Sequence, residues 1–145
     1  MIIPDVNLLL YAELDAFPLH GVARRWWEDL MNGQRAVGLA LPCVFGFLRL
    51  STNRRVFVDP LAVDDAVGRV RRWLEQPVVN CLVPGSGYLE VAFRLLAQLG
   101  TGGNLTTDVQ IAAHAIELNG EVHSNDTDFA RFEGLRWVNP ISPRA

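Results

Sequence analysis

The feature that most restricts this chain is an alternation kept along its whole length: short apolar runs, each followed by a longer amphipathic one. Met1–Ile3, Ala36–Leu41, Val78–Val83, Glu121–Ser124 and Leu135–Val138 read as strands. Asp5–Ala12, His20–Met31, Val44–Thr52, Val63–Glu75 and Ser86–Leu99 read as helices, as does a segment from a cap at Thr106 or Thr107 through Asn119. One or two helical turns follow at Thr127–Phe132. Strands separated by helices cannot close as hairpins, and their crossovers favour parallel pairing. The expectation is an α/β fold with a mostly parallel central sheet and helices on both faces. With 145 residues and no repeat, linker or low-complexity tract, residues 1–145 read as a single domain. Punctuation is expected from Pro4 breaking the first strand, Gly33 and Gly100 ending helices, and Gly120 as the left-handed residue after the last long helix.

In such a sheet, ligands collect beyond the carboxyl ends of the strands. The first strand runs out at Asp5, followed by Asn7, and the fourth at Ser124, Asn125, Asp126 and Asp128, while Asp108 opens a helix. Four carboxylates brought to one end would repel, and their burial without compensation is expensive. A hard divalent cation removes that penalty and prefers oxygen ligands, so Mg²⁺ is expected, with Mn²⁺ an alternative. Such an ion can activate water and neutralise a phosphate, with Asn7 and Ser124 placed to orient ligands. Each acid also has a purely structural reading. Asp5 can cap the helix that follows, Asp108 can complement a helix dipole, and Asp126 with Asp128 can build a capped turn. Glu28, Asp29, Asp64, Asp65, Glu75 and Glu117 fall on amphipathic helices and read as solvated.

All 13 basic side chains other than histidine are arginine, against 16 acids. A nucleic-acid partner would therefore need a local basic patch. Residues 35–72 supply one, with seven arginines against three acids. Within it Arg49, Arg54 and Arg55, beside Ser51, Thr52 and Asn53, are the best phosphate-binding candidates. Trp26, Trp27, Trp73 and Trp137 read mainly as packing residues, although each could stack on a base. His114, in an alanine-rich stripe, reads as packed, and His20 and His123 have no nucleophile motif beside them. Cys43 and Cys81 are far apart and are expected to be buried free thiols. No apolar run is long enough for a membrane helix and no secretory pattern opens the chain, so a cytoplasmic protein without membrane partners is expected.

The opening Ile3-Pro4-Asp5-Val6-Asn7-Leu8-Leu9 resembles the first motif of PIN-domain ribonucleases, in particular the VapC-type toxins of toxin–antitoxin pairs. Asn104-Leu105-Thr106-Thr107-Asp108 through Ala115 is similar to the family's helix with its third acidic position. Ser124-Asn125-Asp126-Thr127-Asp128-Phe129 resembles its closing motif, and Phe132-Glu133-Gly134-Leu135 its tail. Pro42 through Phe57 is similar to one subgroup. The resemblance implies a PIN-like fold and a Mg²⁺-dependent endoribonuclease. Asp5, Asp108 and Asp126 would be metal ligands and Asp128 a supporting catalytic acid. RNA would be the substrate, a cognate antitoxin the inhibitor and a homodimer the assembly. One departure matters: Gly46 stands where the family usually has a glutamate on its second conserved helix, and no acid lies between Asp29 and Asp59. Glu90, Glu117 and Asp59 are the acids left to replace it. The alternative implied is a PIN-like RNA-binding or interaction module with weakened catalysis. A phosphoaspartate phosphatase would need an acid two residues after Asp5, where Asn7 stands.

Overall fold

The structure, a computed structural model, describes residues 1–142. Five strands, β1 (Ile2–Pro4), β2 (Val37–Leu39), β3 (Val79–Cys81), β4 (Glu121–His123) and β5 (Arg136–Val138), form one sheet in the order β3-β2-β1-β4-β5. Every neighbouring pair is parallel. Six α-helices connect or flank them: α1 (Val6–Glu13), α2 (His20–Met31), α3 (Leu41–Ser51), α4 (Val63–Leu74), α5 (Tyr88–Leu99) and α6 (Leu105–Glu117). A 3-10 turn covers Thr127–Arg131.

Successive side chains of a strand point to opposite faces. Ile2 and Ile3 are both buried to within 1% of their surface, so the central strand is covered on both faces, as the alternation of elements predicts. The core runs through Leu8, Leu9, Leu39, Phe47, Val109, Ile111, Val122 and Phe129. Helix α6 buries Ala112, Ala113 and Ala115 fully, and those small side chains let its backbone ride close to the sheet.

Several local expectations are corrected. Pro4 does not break β1 but ends it, in register with His123. Amides alternate along a strand, and the Asp5 amide points to β4 (Asp5 N to His123 O, 2.9 Å). The missing Pro4 N–H therefore falls on the β2 side, where paired register is confined to Ile2 and Val37. Helix α3 begins at Leu41 rather than Val44, because Pro42 sits in its first turn, where an absent N–H is harmless. The cap of α6 is Asn104 rather than Thr106 or Thr107, and the left-handed residue after it is Asn119 (φ 52°), not Gly120. Gly120 is required for space: a Cβ there would lie 2.9 Å from the Met1 carbonyl oxygen. Gly100 does end α5 in the left-handed conformation (φ 67°). Cys43 is buried, but Cys81 is exposed at the sheet edge.

Candidate active site

The site is built where β1 and β4, adjacent and in parallel register, end together. Asp5 and Ser124 each leave their strand at that edge. Asp5 caps α1, its Oδ1 accepting from the Val6 amide (2.7 Å), so the structural reading of this residue holds. Its other oxygen accepts from the Ser124 hydroxyl at 2.7 Å. Ser124 is fully buried, and its Oγ also accepts from Asn7 Nδ2 (3.2 Å) and the Asp126 amide (2.9 Å). One hydroxyl thus ties the end of β1, the first turn of α1 and the loop after β4 into a unit. Asn7 adds a second tie, its Oδ1 accepting from the Asn125 amide at 3.4 Å.

On this platform three carboxylates converge. Asp108, Asp126 and Asp128 each present an oxygen within 4.8 Å of the others, all half-buried. Asp108 comes from the first turn of α6, while Asp126 caps the 3-10 turn by accepting from the Asp128 amide at 2.8 Å. Among the described residues none of the three has an arginine or lysine in ion-pair contact. Burial, then the charges of Asp5, Asp126 and Asp128, push the Asp108 carboxyl up to about 7. Asp5 is raised as well, chiefly by burial, with its Ser124 and Val6 hydrogen bonds opposing. Asp5 lies outside the tight trio, and its charge is the largest of the charge effects on Asp108. Clustered oxygens without a counter-cation are the donor set that a hard divalent ion takes, and they fit one.

The acid absent at Gly46 is not replaced. Glu117 is half-exposed but engaged elsewhere: it accepts from the Gly85 amide (2.9 Å) and the Gly87 amide (3.0 Å), pinning the loop before α5. Asp59 lines a separate cavity with Glu13 and His20, and Glu90 is exposed. Cys43, expected as a buried free thiol, is one, within reach of the Asp5 charge. Burial first and the charge of Asp5 second push its thiol well above the ordinary range, with a smaller effect from Asp108.

Other candidates separate clearly. Arg49, Arg54 and Arg55 are exposed and without ion pairs among the described residues. Arg49 shares a cavity wall with Thr107, the neighbour of Asp108, whereas Arg54 and Arg55 lie in the turn after α3. Trp27 and Trp73 are buried in the core, and the Trp26 indole donates to His123 Nδ1 at 3.0 Å. Trp137 donates to the Ser124 carbonyl at 3.0 Å, bracing the site from β5. His114 packs on Tyr88 (centroids 4.5 Å apart), away from the acids, as expected of a packed side chain.

An all-parallel sheet with acids at the exits of its central strands defines a class, and independent comparisons name it. The PIN domain family profile matches residues 2–135, and the chain belongs to that family. Within it the chain groups with the VapC proteins. It is 52% identical over 141 residues to Ribonuclease VapC33 of Mycobacterium tuberculosis, covering 97% of this chain and 99% of that one. Ribonuclease VapC37 of the same organism is 36% identical over 140 residues, covering 97% of each chain. Among solved structures, VapBC2 from Rickettsia felis, bound to a DNA fragment from its promoter, aligns with a TM-score of 0.69 at 18% identity. That alignment covers 95% of this chain and 98% of the other. Mycobacterium tuberculosis VapC20, a toxin that cleaves the sarcin-ricin loop, gives a TM-score of 0.69 at 18% identity, over 94% and 99% of the two chains. Those two likenesses concern the fold.

Proposed function

We propose that this protein, acting as one domain over residues 1–145, is a metal-dependent endoribonuclease and the toxin of a toxin–antitoxin pair in the cytoplasm. The observation that carries the chemistry is the convergence of Asp108, Asp126 and Asp128 within 4.8 Å, with no ion-pair partner among the described residues. The identity to named VapC ribonucleases supports the substrate class and the antitoxin. Asp108 and Asp126 would hold the ion together with Asp5, directly or through water, while Asp128 supports the cluster. Mg²⁺ is the expected ion and Mn²⁺ an alternative. Once bound, the ion supplies Lewis acidity, activating a water for in-line attack and offsetting charge on the scissile phosphate. Ser124 and Asn7 hold Asp5 and the Asp126 loop in place, which fixes the spacing of the acids before any ion arrives. Arg49, Arg54 and Arg55 would hold the RNA backbone. A homodimer is the proposed assembly, with the antitoxin masking the acidic edge.

A second reading, an RNA-binding module with weakened catalysis, is favoured by one observation. Gly46 removes an acid, and none of Glu90, Glu117 or Asp59 joins the cluster. The deciding experiment incubates purified protein with a mixed RNA pool and Mg²⁺ or Mn²⁺, with and without chelator, and maps the ends. Chelator-sensitive ends that disappear with Asp108→Asn support the nuclease. RNA left intact but retained by the protein supports the second reading.

A further inference from the structure

Beside the acidic cluster, α3 presents a feature that metal chemistry does not use. Phe45 is 63% exposed, although Cys43, Val44 and Phe47 of the same helix are buried. Its ring borders a cavity of about 590 Å³, within the size range of ligand sites. Val63 and Val67 of α4 line it as well, with Gly46 next in sequence to Phe45. Thr107, directly before Asp108, forms one boundary, and Arg49, one turn beyond Phe45, forms another. The cavity lining thus includes both Arg49 and Thr107, the neighbour of Asp108.

We propose that the cavity receives one unstacked base of a single-stranded RNA, with the Phe45 ring as its stacking surface and Arg49 on a flanking phosphate. The proposal rests on the nuclease reading above and adds the substrate's form: a strand with at least one base free to leave its stack. The mainly apolar surroundings engage a base by its face rather than its hydrogen-bonding edge, so the position tolerates any base but requires one. Arg49 favours the polyanion over an apolar segment of a protein partner, because a cation on the rim is complementary to phosphate.

The test walks a single abasic site across a short cleavable RNA and compares wild type, Phe45→Ala and Phe45→Trp, reading Kd by anisotropy with Mn²⁺ and chelator arms, together with cleavage. Phe45→Ala is expected to weaken RNA binding roughly tenfold or more, with Mn²⁺ affinity and melting unchanged, while Phe45→Trp retains binding. One abasic position should cost wild type a similar factor and Phe45→Ala almost nothing, since the two changes remove the same contact. Wild-type affinity in Phe45→Ala, or abasic losses equal in both proteins, overturns the proposal and leaves the cavity to a protein partner. If wild type cleaves nothing with either ion, the nuclease reading falls, and the binding cycle still decides the stacking.

Discussion

Helix α1 is eight residues long and carries a carboxylate problem at each end, solved in opposite ways. At its C-terminus Glu13 is nearly buried and fully engaged. Arg69 donates to its Oε2 (3.0 Å), the Trp73 indole donates to its Oε1 (2.7 Å), and Arg24 lies 3.5 Å away. Arg69 also donates to the Glu13 carbonyl (2.7 Å), closing the end of the helix. At the N-terminus the charge of Asp5 adds to those of Asp126 and Asp128 on Asp108, and among the described residues no arginine pairs with these acids. An acid with its own arginines is finished as structure. Acids gathered without them retain unspent charge, and that is what marks a site for a cation and a phosphate.

The comparison breaks first at Asp108. Asp108→Asn should lower metal-dependent RNA cleavage on the order of 100-fold or more while melting in chelator stays the same or rises, because repulsion is relieved. Cleavage rates with thermal melts check it, and unchanged cleavage in a native-like variant refutes the ligand role. At the opposite end, Glu13→Ala should leave Mn²⁺ affinity alone and lower stability by about 2–3 kcal/mol, since it strands the Trp73 indole and the arginines, one of them only half-buried. Urea unfolding and calorimetry separate the two effects.

A pH series sharpens the same contrast. Asp108 titrates near 7 in the folded chain against an ordinary 3.8. Between those values the folded state holds a proton that the unfolded state has released, so this group's contribution to stability falls as pH rises from about 4 to 7. In chelator, melting should be lower at pH 8 than at pH 5.5 in wild type, and this part of the slope should vanish in Asp108→Asn. Added Mn²⁺ should raise the melting temperature more at pH 8 than at pH 6, because it binds the ionised form.

The smallest expected effect is at Gly46. A Cβ there meets Val6 Cγ2 at 3.2 Å, so Val6 must yield by a few tenths of an ångström. Gly46→Glu should gain helix propensity of about 0.5–1 kcal/mol and lose a similar amount to crowding. Mn²⁺ affinity should tighten severalfold while RNA affinity falls, measured by calorimetry and anisotropy. No change in Mn²⁺ affinity would place position 46 outside the metal's reach.

Much of this arrangement was legible in the residues. The helix at His20–Met31 stands where its amphipathic period and the following Gly33 place it, and α/β class follows from alternation alone. The acids at strand exits were legible because parallel sheets put their carboxyl ends on one edge. Glu117 misled, since a carboxylate on a helix gives no sign that two amides of a distant loop will close on it. Asp5 misled in a different way. Capping and site membership looked like alternatives, but a carboxylate has two oxygens, and here one caps α1 while the other takes Ser124. Cys43 was legible as a buried thiol, whereas the exposure of Phe45 was not, because α3 is apolar on most of its circumference.

Local chemistry alone determined the elements and their order, since periodicity, caps and breakers act over a few residues. What only the tertiary structure decided is which charges meet. Asp5 and Ser124 are separated by 119 positions yet share a hydrogen bond, and Asp108 owes its raised pKa to burial and to acids from two other segments. Electrostatic interaction depends on distance through space and on the dielectric between the groups, and neither is encoded in spacing along the chain.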